Sequence, residues 1–259
     1  MSAHGAFTPR PAENFAHTGL RGIAAMAVVG SHAIRQAEIT DPGLGSFLQS
    51  SYLFVDLFFM LSGFIMIETY SARLRTGPFW PETRRFLYKR ATKILPNYYV
   101  WLFLGMSSFI VVDLYTSGEM RPLSCLGSSV FYHVFMVQHF ADTCVMFNFA
   151  LWSIATEMFV YLLFPAFVLV LRGWWVLLIG SVLLYALLFA AHDTIDLIYG
   201  GASVVRTVAG FVIGGIVALL YRKLPEQVAQ IAQVPLMLGL VGALMWQLEA
   251  VALGVMALI

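Results

Sequence analysis

Long apolar segments follow one another along most of this chain, and they leave few folds open to it. A helix needs about 20 mostly apolar residues to cross the hydrocarbon core of a bilayer. Only 11% of the 259 residues are charged, whereas a soluble globular domain has about 25% charged residues. So little charge cannot coat a surface that faces water. The sequence therefore predicts an all-α polytopic membrane protein and excludes a disordered chain, a coiled coil and a secreted disulfide scaffold.

Several segments are long and apolar enough to be candidate spans. Their ranges are 18–37, 47–69, 94–112, 123–140, 151–171, 174–191, 198–220 and 234–257. The segment 123–140 is the weakest, because serine, histidine and glutamine interrupt it. It either crosses the membrane fully or is re-entrant or only partly inserted, and non-helical backbone at that depth must be buried in protein or line a wet cavity. We therefore predict a transmembrane helix bundle of about 7–8 spans that forms one domain over residues 1–259.

Basic residues collect between the second and third candidate spans, and they orient the chain. The predicted loop 71–93 contains seven of the 15 Lys and Arg residues, while the preceding loop, 38–46, contains none. Since cytoplasmic loops are enriched in Lys and Arg, we predict that 71–93 and the N-terminus are cytoplasmic. If 123–140 is re-entrant, Arg172 and Arg222 fall on the cytoplasmic side too, so the charge rule favours that arrangement.

Two global features limit the possible ligands. Cys125 and Cys144 are the two cysteines of the chain, too few for a metal-type cluster. We interpret them as structural thiols, with a single disulfide as the alternative. The formal net charge of +1 gives no global field that would attract nucleic acid.

Ionisable residues inside the spans point to function, because each costs about 2.5–3.5 kcal/mol on insertion scales. Arg21 and His32 lie eleven residues apart, which places them on one helix face about 16 Å apart. Asp56 lies near the outer end of the second span, where it could face His32 or Arg35. Glu157 lies about 9 Å inside the fifth span. If that end of the span is outside, Glu157 and His32 reach similar depths, which would suit a carboxylate that orients an imidazole. The structural alternatives are a snorkelling arginine, an interfacial acid and histidine or glutamate side chains bonded to a neighbouring helix.

A dense basic cluster precedes the third span. Its members are Arg84, Arg85, Lys89, Arg90 and Lys93. They set the topology and touch anionic lipid, or they bind a multiply phosphorylated ligand, since Arg and Lys both bind phosphate well.

Other small or polar residues in the spans are interpreted as structural. Ser62 and Gly63, and the GxxxG pair that begins at Gly210, are typical of close helix packing. His133 and His139 are interpreted as non-catalytic.

The order of these motifs resembles the acyltransferase-3 family of integral membrane acyltransferases. The resemblance covers residues 18–221, and its motifs are Arg21 with His32, 55–64, 90–98, 152–157 and 206–214. It implies an O-acyltransferase that moves a non-aminoacyl group, with acetyl expected, from cytoplasmic acyl-CoA to a hydroxyl of an envelope or exported polysaccharide or glycolipid. It also implies acyl-CoA as co-substrate without a permanently bound cofactor or metal, the lipid bilayer as surroundings, no nucleic acid, and a bacterial inner membrane as the location.

The resemblance also suggests roles for individual residues. His32 is then the central catalytic residue and Arg21 its motif partner, while Asp56 and Glu157 match acidic positions of the family. A neutral His32 would remove the proton of an acceptor hydroxyl or take the acyl group itself. The donor acyl-CoA would bind on the cytoplasmic side, at Arg84, Arg85, Lys89, Arg90 and Lys93.

Two other classes of function stay open. A transporter could use the same intramembrane charges as a proton relay or an ion path. The chain has fewer candidate spans than the family usually has, and it ends at Ile259 within an apolar run. We therefore expect a truncated C-terminal end, which leaves a non-catalytic member of the family as the other alternative.

Overall fold

The chain is mainly helical in the part that the computed structural model describes, residues 11–36, 44–117, 121–141, 144–170, 174–194, 196–221 and 248–258. Within these ranges the helices are α1 (Pro11–Gln36), α2 (Leu44–Ser50), α3 (Phe54–Thr76), α4 (Phe79–Ser117), α5 (Leu123–Val134), α6 (Leu151–Val170), α7 (Trp174–His192), α8 (Gly200–Tyr221) and α9 (Glu249–Leu258). Short 3-10 turns occupy Ser51–Leu53 and Gln138–Phe140. The described residues contain no strand, which confirms the all-α prediction.

Five helical segments among the described residues are long and apolar enough to cross a membrane. They are Phe47–Thr76, Phe79–Thr116, Leu151–Val170, Trp174–His192 and Gly200–Tyr221. The apolar part of α1, Gly19–Ile34, is shorter. Most of the predicted last span, 234–257, lies outside the described residues.

The weak candidate span 123–140 does not form one long helix. Helix α5 has 12 residues and is about 18 Å long, well short of the roughly 30 Å hydrocarbon core. Met136 then turns the chain with a φ of 57°, and the 3-10 turn Gln138–Phe140 follows. This geometry matches the re-entrant alternative and not a full helical crossing.

The two cysteines form a disulfide, with Cα atoms 5.5 Å apart. The interpretation of Cys125 and Cys144 as thiols is therefore wrong, and the alternative is what the structure shows. The bond ties the start of α5 to the chain that leads into α6. The backbone N–H of Val145 donates to Ser129 Oγ at 3.0 Å beside it, so the two arms of this hairpin are joined twice.

The basic segment 71–93 is helical rather than a loop. Helix α3 ends at Thr76 and α4 begins at Phe79, so the connection is short. The backbone N–H of Gly77 donates to the Arg73 carbonyl at 2.8 Å and ends α3. Arg and Lys are good helix formers, and helices that leave the apolar layer can therefore continue through a charged stretch.

The chain divides into two compact units, Met1–Leu61 with Pro225–Ile259, and Ser62–Leu224. In the first unit α1 packs against α2 and the Ser51–Leu53 turn. A Cβ added at Gly30 would lie 2.9 Å from Cδ2 of Leu48, so glycine permits the close approach of α1 and α2.

The second unit is built around α6, which packs against α4 and α8, while α7 packs against α8. Helix α3 also meets α8 without any gap. A Cβ at Gly63 would overlap the carbonyl oxygen of Phe211, and a Cβ at Gly215 would lie 3.1 Å from Cγ1 of Ile67. The interpretation of Gly63 as a helix-packing residue is confirmed.

Candidate active site

Three of the predicted catalytic residues belong to the first unit. On α1, Arg21 is half-buried and His32 is exposed, while Ser31 is fully buried. Asp56 lies in the first turn of α3 and is fully buried. It follows the Ser51–Leu53 turn, which packs on α1. Their catalytic roles stay predictions.

The predicted donor-binding residues all lie on α4, but they do not share one face. Four of them are exposed, namely Arg84, Arg85, Lys89 and Lys93. Arg90 is half-buried, because it follows Thr83 and Phe86 at helical spacing and both of these are buried. Arg90 therefore belongs to the inward face of α4.

Tyr70 of α3 holds the Arg90 guanidinium in place. Arg90 Nη2 donates to the Tyr70 hydroxyl at 2.6 Å, and Cζ lies 5.0 Å from the centroid of the same ring. A cation above an aromatic face is attracted by the ring quadrupole. Arg90 Nε is buried and has no hydrogen-bond partner within the described residues. Tyr70 therefore holds the guanidinium in place, and the Nε–H group is still able to donate a hydrogen bond.

Glu157 of α6 is the centre of a second polar cluster. The Tyr161 hydroxyl, one helical turn away, donates to Glu157 Oε1 at 2.6 Å. The Ser62 hydroxyl of α3 donates to the same oxygen. Among the described residues, both hydrogen bonds to Glu157 end on Oε1, and Oε2 is left to accept from another group. Two fixed donors on one oxygen orient the whole carboxylate.

One aromatic ring connects the two clusters. The Phe86 ring lies 5.0 Å from that of Tyr70 and 6.1 Å from that of Tyr161, measured between centroids. The tyrosines that contact Arg90 and Glu157 therefore pack against the same Phe86 ring in the second unit.

The start of α6 carries further polar contacts. Thr207 Oγ1 donates to Thr156 Oγ1 at 2.9 Å, next to Glu157 in sequence. Arg206 is fully buried, with Cζ 5.5 Å from the centroid of the Trp152 ring and Nη1 3.9 Å from Asp196 Oδ1. This in-span arginine thus has a carboxylate and an aromatic ring close to it.

Comparisons with known proteins decide the family. The sequence profile of the acyltransferase-3 family, described as an acyltransferase domain, matches residues 16–257. The chain belongs to the acyltransferase-3 family. It is also similar to "Protein 2 in picA locus" of Rhizobium radiobacter, with 39% identity over 108 residues, which is 42% of this chain and 51% of that protein. The chain thus spans about half the length of this relative. No solved structure matches the chain.

The acyltransferase-3 match extends past residues 18–221, which the motifs cover. Together with the apolar helices, it makes this chain an integral membrane protein.

Some site residues of this family member were not predicted from its sequence. Tyr161 lies four residues after Glu157, a spacing at which helical side chains meet, so it could have been found. Ser62 was interpreted as a packing residue, yet it donates to Glu157. Tyr70 needs the tertiary contact between α3 and α4.

Proposed function

We propose that this protein is a membrane O-acyltransferase that moves an acyl group, with acetyl expected, from cytoplasmic acyl-CoA to a hydroxyl of an envelope or exported polysaccharide or glycolipid. The observation that supports it most strongly is the carboxylate of Glu157, set inside a helix bundle of this family and oriented by two hydroxyl donors. Pre-oriented polar groups in a site that excludes water can stabilise developing charge more than water can.

The reaction joins the acceptor oxygen to the thioester carbonyl carbon. We assign His32 the removal of the hydroxyl proton as the oxygen attacks. The carbon–sulfur bond then breaks, and the thiolate of CoA leaves and takes the proton that the imidazole holds. Alternatively His32 takes the acyl group first and passes it to the acceptor. Arg21, Asp56 and Glu157 are assigned to orienting the reacting groups.

The donor is assigned to the basic part of α4. The exposed side chains Arg84, Arg85, Lys89 and Lys93 suit the phosphates of CoA, because cations in water-facing positions attract phosphate without burying charge. Arg90 differs from them, because Tyr70 holds it on the inward face. We propose that Arg90 contacts the donor where it enters the bundle.

Two independent features support a cytoplasmic donor side and an external acceptor side. The basic cluster at the α3–α4 connection predicts that this end is cytoplasmic. The disulfide between Cys125 and Cys144 is stable in an oxidising compartment such as the bacterial periplasm. Helix α4 lies between the two, so we propose that it runs outward and that the N-terminus is cytoplasmic in a bacterial inner membrane.

The decisive experiment follows radiolabelled acetyl-CoA into envelope glycans in membranes that contain the wild-type chain or His32→Ala. We expect incorporation with the wild type and its loss with His32→Ala. His192→Ala is the matched control, because His192 is also an exposed histidine but lies at the end of α7. Incorporation unchanged in His32→Ala would remove His32 from the chemistry. No incorporation by folded, inserted wild type would contradict the proposed function.

A further inference from the structure

Gln138 and His139 are buried polar residues that the proposed chemistry does not use. They lie in the 3-10 turn between α5 and α6, with 3% and 2% of their surfaces exposed. Within the described part of the chain, Gln138 Oε1 and both ring nitrogens of His139 have no hydrogen-bond partner. Native proteins pair nearly all such atoms, because an unpaired buried polar atom loses its hydration without compensation.

The structure holds these two side chains in this position by several contacts. The Tyr98 hydroxyl donates to the His133 carbonyl at 2.7 Å, and the Tyr99 hydroxyl donates to the Val134 carbonyl at 3.0 Å. The disulfide closes the other end of the same hairpin. Met136 has a left-handed φ of 57°, which is costly for a residue with a side chain. Such strain persists only where the surrounding contacts impose it.

The chemistry of the two side chains indicates the kind of group they can bind. Gln138 Nε2 already donates to the Tyr98 hydroxyl at 3.3 Å, which leaves Oε1 as an acceptor. Burial lowers the pKa of the His139 imidazole to about 4, so the ring is neutral and offers one donor and one acceptor. A neutral donor–acceptor set suits hydroxyl groups, which both donate and accept, and does not suit an anion.

An aromatic wall lies beside these polar atoms. The His139 ring is 4.2 Å from the Phe140 ring and 6.1 Å from the Phe159 ring of α6, between centroids. Phe140 and Phe159 are themselves 5.3 Å apart. Ligand sites typically combine apolar and aromatic walls with a few placed polar groups, and the C–H faces of a sugar ring require such walls.

We propose that Gln138 and His139 bind hydroxyl groups of the carbohydrate acceptor. The inference rests on the proposed function and adds the acceptor's binding residues to it. The Cys125–Cys144 hairpin carries this turn, so the acceptor would bind on the side of the membrane that we assign to the oxidising compartment. The donor cluster on α4 would lie at the opposite end of that helix.

The test uses the full chain in lipid nanodiscs and, as probe, the glycan fraction extracted from the envelopes of the cells that carry the protein. The variants are His139→Leu, which replaces two unpaired ring nitrogens by apolar atoms, and Gln138→Met, which removes the unpaired Oε1 together with the Nε2 that donates to Tyr98. Removing unpaired buried polar atoms leaves stability equal or higher, so we expect the Tm of His139→Leu without glycan to be unchanged or raised. Gln138→Met also loses a hydrogen bond, so we expect its Tm without glycan to be at or below that of the wild type. A ligand that binds the folded state raises Tm. We expect the glycan fraction to raise the Tm of the wild type and not that of the variants.

Kinetics provide the second measurement. In the variants we expect the apparent KM for the glycan fraction to rise at least about tenfold, as when a hydrogen bond to a buried group is lost. The KM for acetyl-CoA should change less than about twofold, because the donor binds elsewhere. If Gln138 and His139 served only in packing, their replacement would not change the KM for the glycan fraction without also changing the KM for acetyl-CoA.

His133→Leu is the matched control, because His133 lies in the same hairpin but is fully hydrogen-bonded. Its Nδ1 contacts the Ser129 carbonyl at 2.7 Å, and its Nε2 contacts Met146 Sδ at 3.2 Å. We expect this variant to lose stability and to keep the wild-type KM for the glycan fraction.

The outcomes separate this inference from the proposed function. An equal glycan-induced Tm shift in His139→Leu, or no shift in the wild type, overturns the inference. Acetyl transfer with an unaltered glycan KM in both variants overturns it as well, and leaves the proposed function intact. A glycan-induced shift in the wild type alone, without any acetyl transfer, supports the binding site and contradicts the transferase.

Discussion

At the scale of single residues, the structure shows how a carboxylate inside a membrane protein is controlled. Glu157 could rotate freely about its last side-chain torsion, but Tyr161 and Ser62 both donate to Oε1. A hydrogen bond to a charged group contributes about 1.5–3 kcal/mol. We therefore predict that Tyr161→Phe lowers the rate of acetyl transfer about tenfold to a hundredfold, measured as initial rates in membranes with equal amounts of protein. The KM for acetyl-CoA should stay unchanged.

Tyr88→Phe is the control for this prediction. Tyr88 is 71% exposed, so Tyr88→Phe removes a tyrosine hydroxyl that does not bind the Glu157 carboxylate. We expect wild-type rates from it. Equal rates for Tyr161→Phe and wild type would mean that the orientation of Glu157 does not limit the reaction.

The sequence located the charged residues better than it located their partners. Glu157 was predicted because an ionised side chain in an apolar span is costly and rarely lacks a function. Ser62 was misread because a hydroxyl in a span is inexpensive and common at helix contacts. Its bond to Glu157 depends on how α3 meets α6, and spacing along the chain does not contain that information.

At the scale of secondary-structure elements, α3 and α8 pack so closely at Gly63 that no side chain fits between them. A Cβ at Gly63 would overlap backbone atoms of Phe211, and backbone cannot move aside as the end of a flexible side chain can. Overpacking costs about 1–3 kcal/mol. We predict that Gly63→Ala lowers Tm by about 5 °C or more, or leaves no monodisperse protein, as measured by size-exclusion chromatography after heating.

Gly180→Ala is the matched helical control. A Cβ there would meet nothing within 4 Å, and alanine favours a helix over glycine by about 1 kcal/mol. Its Tm should equal or exceed that of the wild type. A Gly63→Ala protein as stable as Gly180→Ala would contradict the close contact between α3 and α8.

The hairpin that contains α5 is stabilised by its disulfide. The bond closes a loop with a sequence separation of 19, and cross-links of this size contribute about 3 kcal/mol. We predict that replacing both Cys125 and Cys144 by serine lowers Tm, measured in nanodiscs, to the value that the wild type shows after reduction. Unreduced wild type that reacts with a maleimide after denaturation would show that the bond is absent.

Element boundaries were harder to predict than element types. The apolar runs predicted the helices α6, α7 and α8 closely, because lipid requires a continuous helical backbone over that length. The basic segment 71–93 was predicted as a loop, yet α3 and α4 extend into it. Hydropathy reports where a helix leaves the apolar layer, and this is a different property from where its hydrogen bonds end.

At the scale of the whole molecule, charge and redox chemistry make the same prediction about topology. The start of α4 is basic, and a disulfide lies between α4 and α6. Because α5 is too short to cross, we predict that α4 ends and α6 begins on one side. We assign that side to the oxidising compartment. If α6, α7 and α8 cross in alternating directions from there, we predict that Asp193 lies outside and the end of α8 at Tyr221 lies inside, as the charge rule favours.

Single cysteines in a chain with both native cysteines replaced by serine test this topology in intact cells. We predict that Thr116→Cys and Asp193→Cys react with a membrane-impermeant maleimide added from outside, because both positions are exposed at ends assigned to the oxidising side. Thr76→Cys and Thr92→Cys, exposed near the basic cluster, should react only after the membrane is permeabilised. If α5 and the turn after it crossed the membrane, Asp193→Cys would be protected while Thr116→Cys still reacted. That pattern would mean that α6 runs in the opposite direction. Glu157 would then lie away from the side of the membrane to which we assign the acceptor.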